Sequence, residues 1–278
     1  MSDEYRRSIP ELKARFEFEP SLDDVFVEGS FDRDILDHCL QKASSHRVVY
    51  EIDSVDVPCT VVASHQLTSG NKQRVIALAR ELQIVGNQTC YVCLVDKDLD
   101  HWFGELEVTH GLKWTTYCSM ELHFFTKEFL EDILLTTARA KIPDIDVLLE
   151  SLSVVLQEMF VLRLVDRELG LKLDWIPIEK YITRTDGRIA FSESTYVTAV
   201  LSKSNHMGKL SAFTKAQKRW SDKVDGDPRD RVRGHDFIAL VAWCLKKFKG
   251  QREFASEAAI ERLLVLLAKD AKGILQQL

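Results

Sequence analysis

The apolar positions divide the chain into two stretches of different rhythm. In the first, residues 22–28 (LDDVFVE) end in a short apolar run closed by Gly29, the pattern of a buried strand followed by a turn. Phe31, Ile35, Leu36, Cys39, Leu40 and Ala43 then recur at helical spacing. Residues 48–52 are short and β-branched, which predicts a second strand, and a loop with Pro58 and Ser69-Gly70 follows. Val75, Ile76, Leu78, Ala79 and Leu82 form an amphipathic stripe from residue 71 to about 85, stopped by Gly86-Asn87. Residues 90–95 are an almost uniformly apolar third strand, and 114–118 a fourth. Short apolar strands alternating with helices predict βαβ units, hence an α/β fold with a small parallel sheet flanked by helices.

After about residue 125 the rhythm becomes helical. Residues 129–140, 145–169, 237–248 and 256–275 read as helices, the second closed by Gly170. Residues 174–235 read as polar and irregular, with Pro177, Asp186-Gly187 and Gly208 as breakers. The expected organisation is an N-terminal extension over 1–20, the α/β domain over 21–125, and a mainly helical C-terminal region over 126–278.

Composition narrows the function classes. With 45% hydrophobic and 29% charged residues the chain is of ordinary globular make-up. A net charge of -6 means that any nucleic-acid binding must rest on a local basic patch. The opening residues MSDEYRRSIPELKARF contain no apolar core of a signal peptide, and the longest apolar run, 237–245, is far short of the ~20 residues of a membrane span. A cytoplasmic protein without membrane contact is therefore expected. Cys90 and Cys93 form a CxxC, but on a strand their thiols face opposite sides, and no second pair at ligand spacing supports zinc.

The chemistry lies in acids at strand ends. Glu28, with Asp32 four residues on, ends the first strand, and Asp96, Asp98 and Asp100 follow the strand at 90–95. Sites in open α/β sheets form outside the carboxyl ends of strands, so neighbouring strands would bring Glu28, Asp96 and Asp98 to one crevice. Clustered carboxylates repel unless a cation neutralises them, and all-oxygen ligation suits Mg²⁺ or Mn²⁺. Taken singly, a strand-end aspartate commonly serves only as a turn or helix cap. An EF-hand is excluded: Asp96, Asp98, Asp100 and Glu107 match its spacing, but His101 stands where its sharp turn needs glycine.

A strand ending VEGxxD and an apolar strand ending in DxD resemble the TOPRIM domain of topoisomerases, bacterial primases and OLD-type nucleases. Residues 68–72 (TSGNK), 94–100 (LVDKDLD), 120–122 (MEL) and 234–236 (GHD) further resemble the TOPRIM-like family of the AriB effector nuclease of PARIS anti-phage systems. The resemblance spans roughly 21–248. It implies that Glu28 is the first acid of the site, as metal ligand or general base, that Asp96 and Asp98 are the metal-binding pair, and that Asp100 supports them. It also implies a metal-dependent endonuclease acting as a toxic effector, a partner ATPase that restrains it, and a possible homodimer on release. The family's DRD is DKD here, and His123-Phe124 follows Glu121 where the family has Asn-Tyr.

For nucleic acid, residues 203–233 carry nine basic residues against four aspartates, with Lys218, Arg219, Arg231 and Arg233 as phosphate-binding candidates and Trp220 as a stacking platform. The same stretch also fits a plain solvated face. Lys72 is a further phosphate candidate at a helix start, and His235-Asp236 reads as a helix cap. The competing function is a non-catalytic module that docks a partner ATPase. A topoisomerase or primase would need further domains for which 278 residues leave no room.

Overall fold

In the computed structural model, which describes residues 6–83, 90–271 and 273–278, the chain forms two units: Met1–His123 with Leu264–Leu278, and Phe124–Leu263. The first begins with β1 (Arg7–Ser8) and α1 (Ile9–Phe18). Ser8 and Glu11 make a reciprocal capping box on α1, and Ile9, Leu12 and Phe16 are buried along one helical face. The residues expected as an extension thus supply a helix of the core.

The next elements are β2 (Asp23–Val27), α2 (Ser30–Lys42), β3 (Val48–Glu51), β4 (Val55–Asp56), α3 (Cys59–Ser64), α4 (Asn71–Leu82), β5 (Cys90–Val95), α5 (Asp100–Phe103) and β6 (Leu112–Trp114). A four-stranded parallel sheet has the order β3-β2-β5-β6, and β1 pairs with β4 in a small parallel ribbon. In register, Val25 lies opposite Val49 on one side and Val92 on the other. The side-chain period of two sorts the sheet's residues. Phe26, Tyr91, Cys93 and Val95 join α1 and α4 in one apolar cluster, while Val25, Val27, Val92 and Leu94 are buried outside it. Uniformly apolar strands are what a sheet covered on both faces requires.

The fourth strand spans Leu112–Trp114, beginning two residues earlier and ending four earlier than the sequence predicted. Gly111, at φ 73°, lets the chain turn into β6 directly against the Tyr91 ring, where any β-carbon would collide. Residues 115–118 are turn: the Thr115 hydroxyl accepts from the Lys97 N–H at 3.1 Å and donates to the Tyr117 carbonyl at 2.7 Å. The expected helix stop at Gly86-Asn87 and the Cys90 thiol lie outside the described residues, and Cys93 is a buried free thiol.

The second unit contains α6 (Lys127–Glu131), which widens into a π-helical turn over Asp132–Thr137, then α7 (Ile145–Leu169). Asp144 caps α7 by accepting from the N–H groups of Asp146 and Val147, and Gly170 ends it in the left-handed region. Residues 174–235 are not irregular. They hold the antiparallel hairpin β7 (Ile182–Thr185) and β8 (Arg188–Phe191), then α8 (Glu193–Lys203) and α9 (Leu210–Lys223). Asp186 (φ 48°) and Gly187 (φ 85°) form the hairpin turn, so these breakers mark a reversal between paired strands. Last come α10 (Gly234–Lys247) and α11 (Glu257–Leu267). The helix expected over 256–275 stops at Leu267, and short 3₁₀ turns with Gly273 between them follow. Among the described residues, no helix is long and apolar enough to cross a membrane.

Candidate active site

The parallel sheet delivers its chemistry at the carboxyl ends of β2 and β5. Because these strands are adjacent, Glu28 follows β2 beside Asp96, which follows β5. The Asp96 N–H donates to Glu28 Oε1 at 2.9 Å, and the Asn71 side chain donates to the Glu28 carbonyl at 2.9 Å. Asp98 adopts a left-handed backbone at φ 46°, which aspartate tolerates, and its N–H donates to the Cys118 carbonyl at 2.8 Å. The DxD segment is thereby tied to the turn that follows β6.

Two further acids belong to this cluster. Asp32 sits in the first turn of α2, and Glu121 lies on a 3₁₀ turn after β6 (Met120–Phe124). Desolvation raises the Glu28 carboxyl to about 7; the Asp96 N–H opposes the rise, Asp98 and Glu121 add to it, and Lys72 moderates it. Asp96 is pushed well above the usual carboxylate range by burial and then by Asp32, Glu121, Glu28 and Asp98. Asp32 is pushed the same way by burial, Glu121 and Glu28. Glu121 is buried, and its Oε2 has no hydrogen-bond partner. The sequence reading named Asp32 only as part of a motif and gave Glu121 no role. The signal for Asp32 was its place one helical turn after Glu28 at the start of α2.

Lys72 is the cation of this pole. At the start of α4 and only 14% exposed, its ammonium lies 3.1 Å from Asp98 and 2.7 Å from Asp100, and 5.3 Å from the Trp114 ring centre. Its ammonium is thus engaged with two of the acids, where the sequence suggested a phosphate contact. These ion pairs hold Lys72 above its ordinary range despite the opposing effect of burial.

A divalent cation fits the charge and donor type of this pole: oxygen ligands only, three acids raised by one another, and an orphaned carboxylate oxygen on Glu121. Among the described residues, however, no three His, Cys, Asp or Glu side chains stand as a ready ligand set. The expected convergence of Glu28, Asp96 and Asp98 is therefore one of shared electrostatic field. A metal would have to draw the side chains together, against the Lys72 pairing in the case of Asp98 and Asp100.

The basic candidates of the second unit fare differently. Trp220 is buried, with its indole N–H donating to Glu168, so it offers no stacking platform. Arg219 pairs with the same Glu168. Lys218 is exposed, Arg231 is half-buried with its Nε unpartnered, and Arg233 occupies the N-cap position of α10 without a side-chain cap. His235 is exposed, whereas Asp236 reaches Arg163 at 3.5 Å. Of the phosphate-binding candidates here, Lys218 alone is both exposed and without an ion pair among the described residues.

No protein-family model matches the chain, and no curated protein matches it significantly.

Proposed function

We propose that this protein is a Mg²⁺- or Mn²⁺-dependent endonuclease of the TOPRIM-like kind, cleaving phosphodiester bonds of RNA or DNA. The observation that supports this reading most is the acidic pole of Glu28, Asp32, Asp96, Asp98 and Glu121 at the carboxyl end of a parallel sheet. A purely structural sheet gains nothing by desolvating like charges there.

Asp96 and Asp98, with Asp32 and Glu121 beside them, would hold the ion. Bound there, a divalent cation supplies positive charge that offsets the charge developing on phosphate oxygens. Glu28, raised to about 7, can take a proton from the attacking water near neutral pH. Its Oε1 is fixed by the Asp96 N–H, which leaves the other oxygen to face that proton. Asn71 anchors the same residue through its backbone. In this reading the chain is the toxic effector of an anti-phage system, restrained by a partner ATPase and dimeric on release, in line with the sequence resemblance.

The Lys72 bridge to Asp98 and Asp100 favours a second reading, a non-catalytic module that docks an ATPase, because it neutralises two acids without any metal. Incubation of the purified protein with duplex DNA and with total RNA, with and without Mg²⁺, separates the two. The nuclease reading expects cleavage of one substrate only with metal, lost in Asp96→Ala/Asp98→Ala. Calorimetric titration with Mn²⁺ should show binding that the same double variant removes. Equal Mn²⁺ binding by both proteins, or metal-independent integrity of both substrates, sinks it.

A further inference from the structure

An open cavity of about 570 Å³ in the second unit is lined by Lys246, Lys249, Gly250, Arg252 and Ala255, with no acid among its walls. Backbone hydrogen bonds bring more cations to the same place. The Lys141 N–H donates to the Phe248 carbonyl at 2.6 Å, and the Gln251 N–H to the Ala138 carbonyl at 2.8 Å, so Arg139 and Lys141 flank the cavity's segment. Arg184 donates to the Lys247 carbonyl and lies 5.0 Å from the Phe248 ring centre. Gly250 permits this close approach: a β-carbon there would stand 3.0 Å from the Leu245 side chain and 3.3 Å from the Ala138 carbonyl.

All six cations are exposed, and none takes part in an ion pair among the described residues. Elsewhere in this unit Arg188 pairs with Glu150, Arg219 with Glu168 and the half-buried Arg229 with Asp227. Lys215, Lys218 and Lys223 on α9 are exposed without an ion pair among the described residues, but they line no common cavity with these six. Helix-dipole compensation accounts for Lys246 at the end of α10. It does not account for Arg139, Lys141, Arg184, Lys249 or Arg252, which lie outside that helix.

We propose that this basic pocket docks the phosphate backbone of nucleic acid, a role the sequence had sought in residues 203–233. The substrate class rests on the nuclease reading; the location rests on the pocket. Its walls carry no aromatic side chain, so it holds phosphates and does not read bases.

The test is anisotropy of a fluorescein-labelled single-stranded RNA and of a duplex DNA of the same sequence, in chelator so that nothing is cut. Lys246→Glu/Lys249→Glu/Arg252→Glu should weaken binding at least about 10-fold and shrink the salt slope by about 2 for single strands. The milder triple alanine variant should move both in the same direction, which guards against misfolding as the cause. Lys215→Glu/Lys218→Glu/Lys223→Glu on α9 makes the same change in net charge and should alter affinity less than about 3-fold. Equal losses in the two charge-reversal proteins would overturn the proposal, since net charge would then explain everything. Undiminished binding by the pocket variant would also overturn it, leaving an acidic protein as the occupant. If the pocket variant loses binding while the wild-type protein cuts nothing with Mg²⁺, docking stands and the nuclease reading falls. If the pocket variant binds normally and the wild type cuts, the reverse holds.

Discussion

The two units gather like charges in opposite ways. The sheet-bearing unit crowds carboxylates at strand ends where desolvation lifts Glu28, Asp32 and Asp96, and it places Lys72 against the two outer acids. The other unit spreads cations over an exposed surface, and the six around one cavity make no ion pair among the described residues. Exposed cations cost little to assemble, because water and salt screen them within about 10 Å. Half-buried acids are screened poorly, so their proximity destabilises the fold and calls for a counter-charge or a use. Similar clusters therefore carry different weight: the acidic one is the stronger indication of chemistry, the basic one of a surface for a polyanion.

The largest effect that would sharpen this contrast is on cleavage. Glu28→Ala should lower turnover at least about 10²-fold, the smaller end of what losing a general base costs. Its melting temperature without metal should be unchanged or higher, since a desolvated carboxyl leaves the cluster. A variant that melts normally and cuts at the wild-type rate removes Glu28 from the mechanism.

Lys72→Met tests the counter-charge directly. Without metal it should destabilise the protein by about 1–2 kcal/mol, less than for a fully buried pair because Asp98 is 41% exposed. Mn²⁺ should then raise its melting temperature more than it raises that of the wild type, as the ion no longer competes with an ammonium. An equal gain in both proteins would show that Lys72 does not occupy the ion's place.

The smallest effect would blur the contrast, since the helical unit also holds a raised acid. Burial, with Glu193 adding repulsion, lifts Glu158 to about 7. The folded chain thus keeps this proton at pH values where the unfolded chain has released it, so stability declines as pH rises from about 4.5 to 7. Glu158→Gln should flatten that decline, gaining about 1 kcal/mol at pH 8 and little at pH 4 after screening is allowed for. Melting curves at both pH values decide it, and an equal gain at the two would assign the effect to packing.

Where the sequence was legible, one physical signal dominated. The runs at 22–28 and 90–95 are apolar because both sheet faces are covered, and α7 was bounded correctly because Asp144 and Gly170 cap it. The hairpin was missed because Asp186-Gly187 reads equally as a loop until strand pairing is seen. Helix α9 was missed because only Phe213, Ala216 and Trp220 face inward along an otherwise polar helix. At the candidate site, Glu28 and the DxD acids stood out through their strands. Glu121 and Lys72 arrive from separate elements, and nothing in their local sequence announces whom they will meet.

The return of residues 264–278 to the sheet-bearing unit sets an order of assembly. There the Thr116 N–H donates to the Gln277 side chain at 3.0 Å, and Cys39 of α2 donates to the Ala268 carbonyl at 3.3 Å. Synthesis runs from the N-terminus, so β2, α4 and β5 leave the ribosome long before the segment that completes their unit. The unit that carries the acidic pole is therefore unfinished until residues 264–278 have been made. Any chain cut short within α11 lacks part of that unit's own core, Ala268 and Ile274 among it.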